Sequence, residues 1–284
     1  MPIFNITYET SNYYSKPIRE AVYELMVLPG NAPGQQCLSH HVSNSLGVNP
    51  QYSDSLFGSR LIRFRVPKKF CSFDITVTSI VIKEDVNPFE IEQLTPLYQE
   101  QTISDEAFKI DYFRYLIYSA FTTLVKETLP KEVNRSPEEE LFPYMLRINH
   151  WIHTHVRYQP GVTTTLTKLD EVLRIMAGVC QDFAHLFIAV MRANSIPARY
   201  VSGYLNQGQS FAGDAALHAW IEAFLPGTGW IGFDPSNNLL ANAHYLKIGH
   251  GLDYSDCMPI KGVFVARANG NTEYSVKVVE QQTQ

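Results

Sequence analysis

Cys180 stands in Gly178-Val179-Cys180-Gln181-Asp182-Phe183-Ala184-His185, ahead of a run in which Phe183, Phe187, Val190 and Met191 recur on one helical face. Asn194 and Pro197 close that run, so the cysteine is placed at or near a helix N-terminus. The unpaired N–H groups and the positive dipole end there favour a thiolate, the form of cysteine that attacks carbonyl carbon. Gly178 just before it permits close approach of backbone or substrate. A second feature runs from Leu217-His218-Ala219-Trp220 through Phe224, then Pro226-Gly227-Thr228-Gly229, then Trp230 to Asp234-Pro235, and reads as two strands around a turn. Pairing Phe224 with Trp230 makes His218 the diagonal neighbour of Asp234 on one face, about 7–8 Å away and within side-chain reach. A carboxylate in that position fixes the imidazole tautomer and turns the other ring nitrogen toward a nucleophile. Cys180, His218 and Asp234 are therefore the candidate nucleophile, base and orienting group.

The rest of the chain must position these three. Its 284 residues, 45% of them hydrophobic, are enough for one large core or two smaller units. Phe4, Ile6 and Tyr8 alternate with polar residues, as do Ile62, Phe64 and Val66. From Phe73 through Ile75, Val77 and Val81 one face is apolar and the other carries Asp74, Thr76 and Thr78. Residues 1–88 are predicted as a β-sandwich-like domain that ends at the polar break Glu84-Asp85-Val86-Asn87-Pro88. Residues 89–284 are predicted to hold a helical lead-in and the chemistry. Phe108, Tyr112, Tyr115, Leu116 and Ala120 give the stretch Ser104 to Leu129 a helical pattern, and Ser136-Pro137-Glu138 reads as a helix start. The Gln-rich last residues read as an untethered terminus.

Composition excludes several classes. A formal net charge of −5 offers no basic footprint for nucleic acid. No apolar run reaches the ~18 residues of a membrane span and the first residues lack a leader pattern, so no membrane partner and a cytoplasmic location are expected. Cys37, Cys71, Cys180 and Cys257 have no framework or CxxC spacing, so they are expected as free thiols. Cys37 with His40 and His41, and His153 with His155, lack a complete ligand set, and neither a metal nor a cofactor is implied.

Four ordered motifs resemble the bacterial transglutaminase-like family. They are Gly178 to His185, Pro197-Ala198-Arg199-Tyr200-Val201-Ser202-Gly203-Tyr204, His218-Ala219-Trp220 and Phe233-Asp234-Pro235-Ser236-Asn237-Asn238, within residues 145–265. The resemblance implies an α+β fold with a papain-like core, in which a helix-borne cysteine faces an antiparallel sheet and a β domain precedes it. It also carries the family triad onto Cys180, His218 and Asp234. Two positions depart from the pattern. Gly251-Leu252-Asp253-Tyr254 has leucine where relatives often carry arginine, and Ser236 takes a place often held by threonine. Substrate specificity is not carried over.

The chemistry so placed is thioester formation on an amide or isopeptide bond of a peptide, protein or small amide. A peptidase or amidase is the first expectation, with acyl transfer to an amine or a non-catalytic binding domain as the alternatives. The Cys180 N–H is one oxyanion donor, and Gln159 and Trp151 are candidates for a second by position alone. Tyr204 is a candidate for substrate contact or for the core. His185 lies about 140° around the helix from Cys180 and is assigned a structural role. Asp182 is assigned to the first turn of the helix.

Overall fold

Strict alternation of apolar and polar residues gives the start of the chain its long antiparallel strands. The computed structural model describes residues 1–92, 94–123, 129–136, 138–208, 211–213, 216–265 and 268–281. Strand β1 (Ile3–Ile18) buries Phe4, Ile6 and Tyr8, and β6 (Phe70–Lys83) buries Phe73, Ile75, Val77 and Val81. Between them lie β2 (Ala21–Leu25), β3 (Gln35–Asn44), β4 (Gln51–Asp54) and β5 (Arg60–Val66). These strands fall into two sheets, with β1, β6 and β3 neighbours in one and β2, β5 and β4 in the other. The sheets meet where Phe73 of the first packs on Tyr23 and Phe64 of the second, at ring separations of 4.9 and 5.5 Å. This is the sandwich that the alternation predicted.

The lead-in departs from the single helix expected over Ser104 to Leu129. Three short helices stand there, α1 (Pro96–Ser104), α2 (Glu106–Asp111) and α3 (Phe113–Leu116), and residues 124–128 lie outside the described ones. Asp105 is the reason for the first break: its backbone is extended and its Oδ1 accepts from the Phe108 N–H at 2.9 Å, capping α2. The expected start at Ser136 is also displaced, and Pro137 lies outside the described residues. Helix α4 (Leu141–His155) begins five residues later because its free Leu141 N–H finds the buried Gln99 Oε1 of α1 at 2.8 Å.

After α4 the short strands β7 (Arg157–Tyr158) and β8 (Ala177–Gly178) pair in parallel, flanking α5 (Leu169–Ile175). Helix α6 (Cys180–Ala193) follows and is buried nearly all round, its polar Gln181, Asp182, His185 and Arg192 included, so it is the central helix. It packs on a five-stranded antiparallel sheet in the order β12 (Leu239–Leu240), β11 (Gly229–Asp234), β10 (Leu217–Leu225), β9 (Ala198–Leu205), β13 (Tyr245–Gly251). Phe187 of α6 meets Phe233 of β11 at 5.4 Å. Full burial of side chains such as Leu186, Phe187 and Val190 stabilises the fold by about 1.5–3 kcal/mol each. The last strands then return to the sandwich. Strand β14 (Ile260–Phe264) pairs with β2, and β15 (Gly270–Glu280) runs along β1. Residues 282–284, the end of the expected untethered terminus, lie outside the described ones. No described helix is long and apolar enough to cross a membrane.

Candidate active site

The hairpin of β10 and β11 has the register that its turn predicted, with Phe224 opposite Trp230 and Ile221 opposite Phe233. His218 and Asp234 therefore come together. The Nε2–H of His218 donates to Asp234 Oδ2 at 2.7 Å, and both side chains are 0% exposed. Oδ2 also accepts from Tyr245 Oη at 2.8 Å and from Asn237 Nδ2 at 2.8 Å. Oδ1 accepts from the backbone N–H groups of Ser236 at 3.0 Å and Asn237 at 3.3 Å. Burial pushes the Asp234 carboxyl up, but His218 and these donors outweigh it and hold the group below its usual range. Burial likewise opposes a charged His218, while the carboxylate of Asp234 and the neighbouring Cys180 overcome it and raise the imidazole.

With Nε2 committed to Asp234, Nδ1 is the ring nitrogen left for Cys180. It has no hydrogen-bond partner among the described residues, and Cys180 is near enough to add to the rise of the imidazole. Cys180 is the first residue of α6 and half-buried. Its N–H is one of the helix donors with no acceptor inside the helix. Asp182 stays with the helix start, where Oδ2 accepts from the Val179 N–H at 2.8 Å and from Thr163 Oγ1 at 2.7 Å. Gly178 is needed for this contact, because a β-carbon there would lie 2.7 Å from Asp182 Cβ.

Two tyrosines lie near enough to Cys180 for it to act on them electrostatically. Tyr158, 38% exposed, is placed beside Gly178 by the β7–β8 pair, and its hydroxyl is pushed up to about 12 by burial, with Cys180 and Asp234 adding to the rise. Tyr274 comes from β15 of the sandwich, stacks on Tyr8 at 6.2 Å and is raised by burial and then by Cys180.

The remaining candidates separate. The Gln159 N–H donates to Gly178 O at 2.8 Å, two residues before Cys180, and Gln159 Oε1 accepts from Arg157 Nε at 2.8 Å. Trp151 is buried in α4 and stacks on His155 at 4.6 Å. Tyr204 has no exposed surface, and its hydroxyl donates to Val27 O of the sandwich at 2.6 Å. It belongs to the core, with its hydroxyl taken up by the Val27 carbonyl and no surface left for a substrate. His185 is buried, accepts from the Tyr254 N–H at 3.1 Å and is pushed down to about 4 by burial. Three supporting residues escaped the sequence reading. Asn237 was visible only as part of Asp-Pro-Ser-Asn, where a side chain three residues after an aspartate can fold back on it. Tyr245 reaches Asp234 from another strand and has no local signal. Gly213 packs against the imidazole itself.

Comparison with known proteins follows the same division. The transglutaminase-like superfamily matches residues 127–235, the stretch that holds Cys180, His218 and Asp234. The bacterial transglutaminase-like N-terminal region matches residues 4–82. The chain carries a transglutaminase-like core. A solved Cytophaga hutchinsonii protein shares the fold of that core and of the sandwich, with a TM-score of 0.79 and 24% identity over 100% of this chain and 92% of its own. An uncharacterized Mycobacterium tuberculosis protein is 29% identical over 97% of this chain and 92% of its own length. An uncharacterized Mycobacterium leprae protein is 26% identical over 96% of each. The transglutaminase-like core alone extends to the protein-glutamine gamma-glutamyltransferase of Pseudomonas aeruginosa, 29% identical over 37% of this chain and 17% of that protein.

Proposed function

We propose that the protein is a cysteine-nucleophile amidase or peptidase in which Cys180 attacks, His218 moves the proton and Asp234 holds His218. The observation that carries this reading is the buried 2.7 Å His218–Asp234 bond, which leaves Nδ1 unpartnered beside a cysteine at a helix start. The Cys180 thiolate attacks the carbonyl carbon of an amide or isopeptide, forming a C–S bond and an oxyanion that the Cys180 N–H receives. The C–N bond breaks as the Nδ1 proton passes to the departing nitrogen, leaving a thioester and a neutral imidazole. Water then gives a proton to Nδ1 and attacks the thioester carbonyl, which releases the acid and restores the thiolate–imidazolium pair.

A second reading exchanges only the acceptor. A primary amine in place of water gives acyl transfer, and the local likeness to a gamma-glutamyltransferase favours keeping it. The substrate is a peptide, a protein or a small amide. The test is turnover of a glutamine-containing peptide library with and without added methylamine, followed by mass spectrometry. Hydrolysed products that vanish in Cys180→Ala support the amidase, and methylamine adducts support transfer. Turnover that persists in Cys180→Ala removes both.

A further inference from the structure

A cavity of about 620 Å³ lies between the sandwich and the five-stranded sheet, within the size range of small-molecule sites. Cys180, His218 and Tyr158 are not among its lining residues. Trp230 is the half-buried ring of its lining, while Trp220 and Tyr245 also line it but are only 2% and 1% exposed. Its inner charges are three cations, Lys83, Arg199 and Lys247, and one carboxylate, Glu222. That carboxylate is already saturated. Lys247 Nζ donates to both Glu222 oxygens, at 2.8 and 2.6 Å, and Arg199 Nε donates to Oε2 at 2.6 Å while its guanidinium lies over Trp230 at 4.0 Å. Lys83 is left over. It is half-buried, and its ammonium has no hydrogen bond or close ion pair among the described residues. Burial pulls its pKa down, Glu222 opposes that pull from a distance, Lys247 adds to it and Glu84 opposes it. Glu84 and Glu90 also line the cavity, but both are exposed, where water screens them.

We propose that this cavity binds a small organic anion, its carboxylate or phosphate paired with Lys83 and its planar body beside Trp230. The anion gives the half-buried Lys83 ammonium a direct charge-assisted contact, which Glu222, taken up by Lys247 and Arg199, does not make, and Trp230 supplies apolar area at little entropic cost.

The test is isothermal titration of the full chain with benzoate, phenyl phosphate and the neutral benzamide. Saturable binding of benzoate or phenyl phosphate at one site per chain, without comparable binding of benzamide, is the expected result, and the better of the two identifies the acid group. Lys83→Met should weaken that binding roughly tenfold or more, as loss of a charge-assisted contact does, while Lys83→Arg retains it. Ala32→Trp, which puts a large side chain at another lining position and leaves every cation in place, should abolish it. Equal binding of benzamide, unchanged binding in both Lys83→Met and Ala32→Trp, or no saturable binding of either anion overturns the proposal.

Discussion

Gly213 and His218 are in direct contact, with the glycine backbone laid against the imidazole so that a β-carbon would sit 2.6 Å from His218 Cγ and closer still to Nδ1. The glycine also has φ of +90°, a conformation that L side chains rarely adopt. His218 cannot yield, because Asp234 fixes its Nε2. Gly213→Ala is therefore expected to lower kcat/KM by about 100-fold or more, the scale of a ~1 Å misplacement of a reacting group. Thermal unfolding and steady-state kinetics check it: a variant with near-native kcat/KM contradicts the contact.

Asn237 ties the same segment to the triad. Its Nδ2 donates to both Asp234 Oδ2 and Ala212 O, and its Oδ1 accepts from the Ala212 N–H at 2.8 Å. Asn237→Ala should cost about 1.5–3 kcal/mol of stability, the range for hydrogen bonds to a charged group, and should also slow Cys180 alkylation. Tyr245→Phe removes one donor to Asp234 and leaves the ring, so it should cost less than Asn237→Ala in both measurements. Chemical denaturation of the two variants orders them.

The pH profile has a definite sign. His218 is raised by Asp234 and by Cys180 against the effect of burial, so its proton is held above neutral pH. The stabilisation from that proton is full below the ordinary histidine value and fades as pH rises through the raised one. Asp234→Asn removes the charge that lifts His218. The alkaline limb of the turnover profile should then move to lower pH by about one unit or more, the usual effect of one opposite charge. An unmoved alkaline limb contradicts the assignment.

Glu222 balances two cations in a region with little water, its side chain 15% exposed against 10% for Lys247 and 14% for Arg199. Burial pushes the carboxyl up, but Lys247 and Arg199 prevail and hold it down at about 2. Glu222→Gln strands both cations and should destabilise the fold by about 3 kcal/mol, toward the lower end for breaking a buried pair. Urea unfolding near neutral pH measures it.

Local patterns in the sequence reached the elements that are built locally. The helix at Cys180, the alternating strands and the Phe224–Trp230 register all follow from side-chain period and turn chemistry within a few residues. What escaped was set at a distance. Leu141 starts its helix on Gln99, forty-two positions away, so no cap could be seen beside it. Tyr204 was open to cleft or core because period 2 gives a face without saying what covers it, and Val27 of the sandwich decides. Strands β14 and β15 close the sandwich from the far end of the chain, a pairing that no nearby residue encodes. Gly213 and Tyr245 reach the triad through the same kind of non-local packing.

The account turns on the pairing of Cys180 with His218, and alkylation of the full chain by iodoacetamide across pH, with the modified residue mapped by mass spectrometry, tests it most directly. The account predicts that Cys180 labels fast in mildly acidic solution, ahead of Cys37, Cys71 and Cys257, and that His218→Ala loses this reactivity. A Cys180 that is inert there, or that labels no faster than the other three cysteines in the wild type, contradicts it and leaves a binding domain that keeps the fold without the chemistry.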